Sequence, residues 1–137
     1  MYDYISGKIT HATATYIVVE ANGVGYQLQV SLQTYSKLKD AQSAKVYAHL
    51  SIKEDAHLLF GFADEDERQL FRNLISVSGV GPGTARVMLS SLSTTELQSA
   101  ITTGNVTKKK KIKGIGDKTA QRIVIDLKDK LGKAGAS

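Results

Sequence analysis

The sequence predicts an α+β chain in two parts, a small closed β-barrel followed by an all-α part that carries two helix-hairpin-helix motifs. Three observations predict it. Residues 1–62 are rich in β-branched and aromatic residues, and their apolar positions tend to recur with period two. Near Ala63 the period becomes helical. The charge divides at the same place: residues 1–62 hold five Lys against five Asp or Glu, while residues 68–137 hold thirteen Lys or Arg against four acids.

The strands are expected in "YISGKIT", "ATYIVVEA", "GYQLQVS", "KVYAHLSI" and "HLLFGF". Asn22-Gly23 marks a hairpin turn between the second and third, because both residue types tolerate the left-handed backbone that tight hairpins need. A short helix is expected in "LQTYSKL", residues 32–38. Five short strands with one brief helical interruption suggest an OB-fold; an isolated meander is the plainer alternative. Between the fourth and fifth strands, "SIKEDAHLLFGF" places Glu54 and Asp55 at the apex of a tight hairpin.

In the helical part, Asp64 and Glu67 of "DEDE" have the spacing of an acidic capping box, which would set negative charge at a helix N-terminus. Leu70, Phe71, Leu74 and Ile75 form an apolar stripe at helical spacing. Ser93 with Glu96 is a second capping box, Gly104 stops that helix, and Asn105 suits the cap of the next. The last helix is expected from about Lys118 to Leu131, with linker-like "GKAGAS" after it. The domains are accordingly 1–62, 63–133 and the start of a linker at 134–137.

Composition excludes several classes. At 137 residues the chain can bury one ordinary core or two small ones, and 42% hydrophobic with 23% charged residues is ordinary for a globular protein. There is no cysteine, hence no disulfide framework, and His11, His49 and His57 lack zinc-ligand spacing. No metal or cofactor is expected. No apolar run approaches a membrane span and "MYDYISGK" does not resemble an export leader, so a cytoplasmic, membrane-free protein is expected.

Two segments repeat at a spacing of 35 residues: "GVGPGTARVML" from Gly79 and "GIGDKTAQRIV" from Gly114. Each has glycine, an aliphatic residue, glycine, two variable positions, Thr-Ala and an apolar helix. The first glycine (Gly79, Gly114) permits a turn closed to residues with a Cβ. The aliphatic residue (Val80, Ile115) can plug the gap between two helices. The second glycine (Gly81, Gly116) lets backbone N–H groups approach an anion at the next helix N-terminus, where free N–H groups and the helix dipole favour phosphate. Pro82 suits a first helical position, and Ala85 and Ala120 allow close packing. Such a hairpin grips nucleic-acid backbone without reading sequence. Gly83 belongs to the same loop. Arg86, Lys118 and Arg122 lie on the helices that follow, and Lys118 and Arg122 share one face. Lys108–Lys111 precede the second hairpin. Neither repeat has the spacing of a dinucleotide or nucleotide phosphate loop, so nucleotide binding is not expected.

In this order, with "GVGYQL", "EDAHLLFGF", "LISVSGVGPGTA" and "IKGIGDKTAQRIVIDLKDK", the chain resembles the RuvA family of bacterial Holliday-junction-binding proteins. The resemblance spans nearly all of the sequence. It implies a homotetramer, with one or two tetramers on an open, planar four-way junction whose arms are held by the hairpins. Glu54 and Asp55 match the family's acidic pin, which would repel phosphates at the crossover while the basic periphery holds the arms. It implies as partners the RuvB ATPase, which drives branch migration in recombination and repair, and the RuvC resolvase. Two positions depart from the family pattern: Gly83 stands where Lys is frequent, and Asp117 where a basic residue is frequent. The family's C-terminal helical domain, which contacts the motor, has no counterpart in these residues, so weak coupling to RuvB is expected.

Catalysis is not expected. A DNA glycosylase could pair Lys118 with Asp126 or Asp129, but base-flipping enzymes need stacking groups, and residues 63–137 contain one aromatic, Phe71. The basic half shows no carboxylate cluster for two-metal nuclease chemistry. A single-strand binder using the barrel face would need exposed aromatics along a basic groove, whereas residues 1–62 are neutral. The expectation is a non-catalytic accessory subunit of an ATP-dependent branch-migration helicase.

Overall fold

The computed structural model describes residues 1–104 and 115–136, with side chains as far as Leu131. The chain divides into two compact units, Met1–Arg68 and Gln69–Ser137.

In the first unit, β1 (Tyr4–Ala12), β2 (Tyr16–Ala21), β3 (Val24–Gln29), β4 (Ser43–Lys53) and β5 (Ala56–Phe62) close into a barrel in the order β1-β2-β3-β5-β4. Closure follows from β4 pairing with β1 on one side and β5 on the other, while β5 meets β3 in parallel at Gln29 and Phe60. This is the OB-like barrel expected. Alternation fills its interior with Ile5, Ile17, Val19, Leu28, Val30, Val46 and Ala48, all buried. The β2–β3 hairpin turns on Asn22 (φ 52°) and Gly23 (φ 80°), the two positive φ values that a tight primed turn requires. Helix α1 (Leu32–Leu38) lies between β3 and β4, capped by Ser31, whose hydroxyl accepts from the Thr34 N–H.

Helix α2 (Glu65–Ile75) opens in the first unit, and the acidic capping box is not what holds it there. Glu67 is fully buried, and its carboxylate accepts hydrogen bonds from the Ser31 and Thr34 hydroxyls of α1. Asp64 instead forms an ion pair with Lys37. The physical reason is partner supply: two buried hydroxyls at the start of α1 need acceptors, and the two oxygens of one carboxylate take one each. The next residue, Arg68, is also buried. It donates to the Asp3 carbonyl at 2.7 Å, the Asp3 carboxylate at 2.9 Å, the Ala48 carbonyl at 3.2 Å and the Glu65 carboxylate. Burial opposes its charge, but the bonds to Glu65 and Asp3 outweigh that and raise its pKa.

The second unit holds the rest of α2, α3 (Pro82–Ser91), α4 (Thr94–Thr103) and α5 (Asp117–Ala136). Leu70, Phe71, Leu74, Met88, Leu89, Leu97, Ile101, Ile123 and Leu127 are its fully buried large side chains, while Ile75 is only partly covered. The Ser93–Glu96 capping box forms with both reciprocal bonds, at 3.1 Å and 3.0 Å, and Gly104 closes α4 in the left-handed region. Helix α5 runs past Leu131, where the sequence predicts its end, to Ala136.

Candidate nucleic-acid interface

The first hairpin joins α2 to α3. After Ile75 the chain is held by Val77 N–H donating to Leu74 and Val80 N–H donating to Val77. Gly79 then takes φ 92°, a conformation that costs an L-residue about 1–2 kcal/mol, so glycine is required there by the backbone. Val80 is buried, as its plugging role predicts. Gly81 caps α3 with φ −92° and makes no side-chain cap bond, and Pro82 takes the first helical position. The N–H groups of Gly83 and Thr84 therefore begin the helix without a side-chain acceptor from the cap.

The second repeat reproduces this helix start. Ala120 N–H donates to Gly116 O at 3.0 Å, as Ala85 N–H does to Gly81 O at 3.0 Å. Ala85 and Ala120 are both buried. The two hairpins meet closely enough that a Cβ at Gly79 would stand 4.0 Å from Thr119 Oγ1. Gly114 lies outside the described residues, together with Asn105, Lys108–Lys111 and Lys113.

The remaining glycines differ from Gly79 in what demands them. Gly81, Gly83 and Gly116 are exposed, have no positive φ, and an added Cβ at any of them meets nothing within 4 Å. Neither backbone strain nor internal packing selects glycine at these three positions. Their absent side chains leave the N-terminal backbone of α3 and α5 open to a ligand from outside.

The flanking cations are placed unequally. Lys118 and Arg122 are exposed on α5, but Arg122 is shared with Asp126 across one turn, Nε to Oδ2 at 3.6 Å. An exposed pair of this kind contributes about 0–1 kcal/mol and yields readily to a phosphate. Arg86 is half-buried on α3. Arg68, counted with the basic half in the sequence, is spent inside the first unit; Gln69–Ser137 alone still carry twelve Lys or Arg against four acids.

At the far end of the barrel strands, Lys53 and Ala56 pair across Glu54 and Asp55, which form the whole of a two-residue turn and are exposed. Among the described residues Asn22 is the only non-glycine with positive φ, so this turn, unlike Asn22-Gly23, is made without a left-handed residue. Left-handed backbone therefore does not select the pair, and of the two only Asp is a common turn residue. Exposed aromatics do occur on the barrel: Lys45 Nζ stands 4.2 Å from the Tyr4 ring centre and 5.3 Å from that of Tyr47, so its charge sits over the rings a base would stack on. Among the described residues no cluster of three or more His, Cys, Asp or Glu could hold a metal, and no helix is long and apolar enough to cross a membrane.

Sequence reasoning missed the Ser31–Thr34–Glu67 network and the Arg68 clamp. The signal available was Ser31 before "LQT", a helix N-cap pattern, but nothing local indicates that its acceptor lies 36 residues away.

A closed five-stranded barrel joined to paired glycine hairpins is the architecture of a barrel-plus-tandem-hairpin protein. Family models agree: residues 1–61 match the RuvA N terminal domain, and residues 71–129 match the SAM-like helix-hairpin-helix tandem. Among curated relatives, the Holliday junction branch migration complex subunit RuvA of Christiangramia forsetii is 50% identical over 96% of this chain and 68% of its own length. That of Cytophaga hutchinsonii is 51% identical over 97% and 67%, and that of Bacteroides fragilis (strain ATCC 25285) 50% over 99% and 67%. The chain belongs to the RuvA family.

Proposed function

We propose that this chain is a non-catalytic DNA-binding subunit that recognises four-way (Holliday) junctions and holds them open for branch migration in recombination and repair. The exposed backbone around Gly81, Gly83 and Gly116, with Gly79 and Gly114 shaping the turns, grips phosphates of the junction arms, assisted by Arg86, Lys118 and Arg122. Glu54 and Asp55 act as the acidic pin at the crossover. The relatives' shared name, Holliday junction branch migration complex subunit, supports this assignment. The chain works as a homotetramer, singly or as a facing pair, in the cytoplasm, beside the RuvB ATPase that supplies the driving force and the RuvC resolvase. Residues 1–137 supply the junction-holding part of that assembly.

The observation that carries the reading is the coexistence of two opposite features. Three exposed glycines that the fold does not require lie in a strongly basic half, and two exposed carboxylates that the turn does not require lie in a neutral one. A general duplex binder has a use for the first and none for the second. A protein that must hold duplex arms while excluding phosphate from a centre has a use for both.

The test is a competition titration of immobile four-way junction against linear duplex of matched arm sequence, with Mg²⁺ and moderate salt. Strong preference for the junction supports the reading. Equal affinity overturns it and leaves a duplex binder with a charged turn.

A further inference from the structure

We infer that Thr84 and Thr119 are further DNA-binding residues, each donating its side-chain hydroxyl to a backbone phosphate held by its hairpin. The inference rests on the phosphate-gripping part of the reading above and deepens it. It needs neither the acidic turn nor the junction.

The two repeats differ where their helices open, Pro82-Gly83 in one and Asp117-Lys118 in the other, yet both place threonine next. In each helix the following alanine bonds back to the cap, Ala85 N–H to Gly81 O and Ala120 N–H to Gly116 O. Thr84 and Thr119 are therefore the last residues of the open first turn, where backbone N–H groups lack partners within the helix. Further along α3 and α4, hydroxyls turn back onto a carbonyl one turn earlier. Ser90 donates to Arg86 O, Ser91 to Val87 O, Thr102 to Gln98 O and Thr103 to Ser99 O, all at 2.7–3.0 Å. Such local bonds use up the donor. The Thr84 and Thr119 hydroxyls make no such bond: among the described residues neither has a hydrogen-bond partner, although both residues are half-buried. No buried side-chain oxygen among those residues lacks a partner, so these two hydroxyls reach the surface.

Their placement suits phosphate. Thr119 Oγ1 lies beside the turn of the first hairpin, since a Cβ added at Gly79 would stand 4.0 Å from it. A ligand oxygen there meets the hydroxyl of one hairpin and the bare glycine backbone of the other. Helix formation does not explain the residue, because threonine is a poorer helix former than alanine. Nor does internal bonding, because the hydroxyl satisfies nothing in the described chain. A phosphate oxygen supplies the missing acceptor, and a hydrogen bond to a charged acceptor is stronger than one between neutral groups. Being neutral, the hydroxyl strengthens the grip without releasing a counterion, which a lysine such as Lys118 does on meeting phosphate.

That difference supplies the test. Fluorescence anisotropy with labelled linear duplex and labelled immobile junction is run over a salt series on the full chain, Thr84→Val, Thr119→Val, Thr84→Ser and Thr119→Ser. Valine keeps the shape and removes the hydroxyl, whereas serine keeps the hydroxyl. Each Val variant is expected to lose about tenfold in affinity for both DNAs. The slope of log affinity against log salt should stay parental, while Lys118→Ala lowers it by about 0.9. Each Ser variant should bind as the parent does, and thermal melts of the Val variants should coincide with the parental melt. Val variants of parental affinity, Ser variants that lose as much as Val, or a Val loss that comes with a lowered melt overturns the inference. A parent that binds junction and duplex equally, with the Val loss and Ser rescue present, leaves the inference standing and removes the junction reading. A junction-preferring parent whose Val variants bind unchanged does the reverse.

Discussion

Replacing Glu67 by alanine removes the common acceptor of two buried hydroxyls. Ser31 Oγ already accepts the Thr34 N–H at 3.3 Å, and Thr34 Oγ1 accepts the Ala63 N–H at 3.1 Å, so their protons are committed toward Glu67. Two orphaned donors cost about 1–3 kcal/mol each. The lost charge returns part of that, because burial pushes the Glu67 carboxyl above its ordinary range despite the bonds from Ser31 and Thr34 and the nearby Lys37, with Asp64 adding to the rise. A net loss of about 2 kcal/mol at pH 7 corresponds to a fall of about 8–16 °C in melting temperature for a unit of this size. The sign of the pH dependence is fixed by the raised pKa. Stability from this group is fully present below the unfolded value of about 4.3 and is lost as pH rises through the higher folded value. The parent should therefore gain on Glu67→Ala and Glu67→Gln as pH falls from 7 toward 4.5, since neither variant has that proton to take up. Melting curves by circular dichroism at both pH values read this. Parallel pH profiles for parent and variants, or an Ala variant as stable as the parent at pH 7, would refute the reasoning.

The glycines separate by experiment. Gly79→Ala should lower stability by about 1–2 kcal/mol in a thermal melt, through its φ of 92°. Gly81→Ala and Gly116→Ala should leave the melt within about 0.5 kcal/mol of the parent, since nothing in the chain meets their Cβ. In a gel-shift titration the same two variants should lose about tenfold in DNA affinity, the equivalent of one charge-assisted hydrogen bond to phosphate. Arg122→Ala should weaken junction and duplex alike and reduce the slope of log affinity against log salt by about 0.9. Asp126→Asn, which releases Arg122 from its 3.6 Å partner, should strengthen both substrates without changing their ratio.

What the sequence makes legible is what depends on neighbours along the chain. Period-two alternation placed the strands, Asn22-Gly23 specified its own turn, and Ser93 with Glu96 formed the cap their spacing predicts. The glycine repeat was legible because backbone conformation at Gly79 and helix start at Gly81 are local matters. Contacts that cross the fold were not. Asp64 and Glu67 have the spacing of a cap, yet Glu67 serves hydroxyls on α1, because a buried donor pair outweighs a solvent-exposed backbone N–H in the competition for a carboxylate. Arg68 looked like one more cation of the basic half for the same reason: its acceptors, Asp3 just before β1 and Ala48 on β4, are distant in the chain. Strand β4 shows the same limit, since alternation alone does not tell that it runs on past its pairing with β1.

The most direct measurement is the affinity of Glu54→Gln/Asp55→Asn for junction and for matched duplex, beside the parent, at one salt concentration. Repulsion of about 1–4 kcal/mol between each carboxylate and a nearby phosphate is what the account assigns to this turn. Its removal should raise duplex affinity by about fivefold or more while junction affinity changes less, so the preference for the junction falls. A variant that keeps the parental ratio contradicts the account, because the two carboxylates would then be only the end of a hairpin.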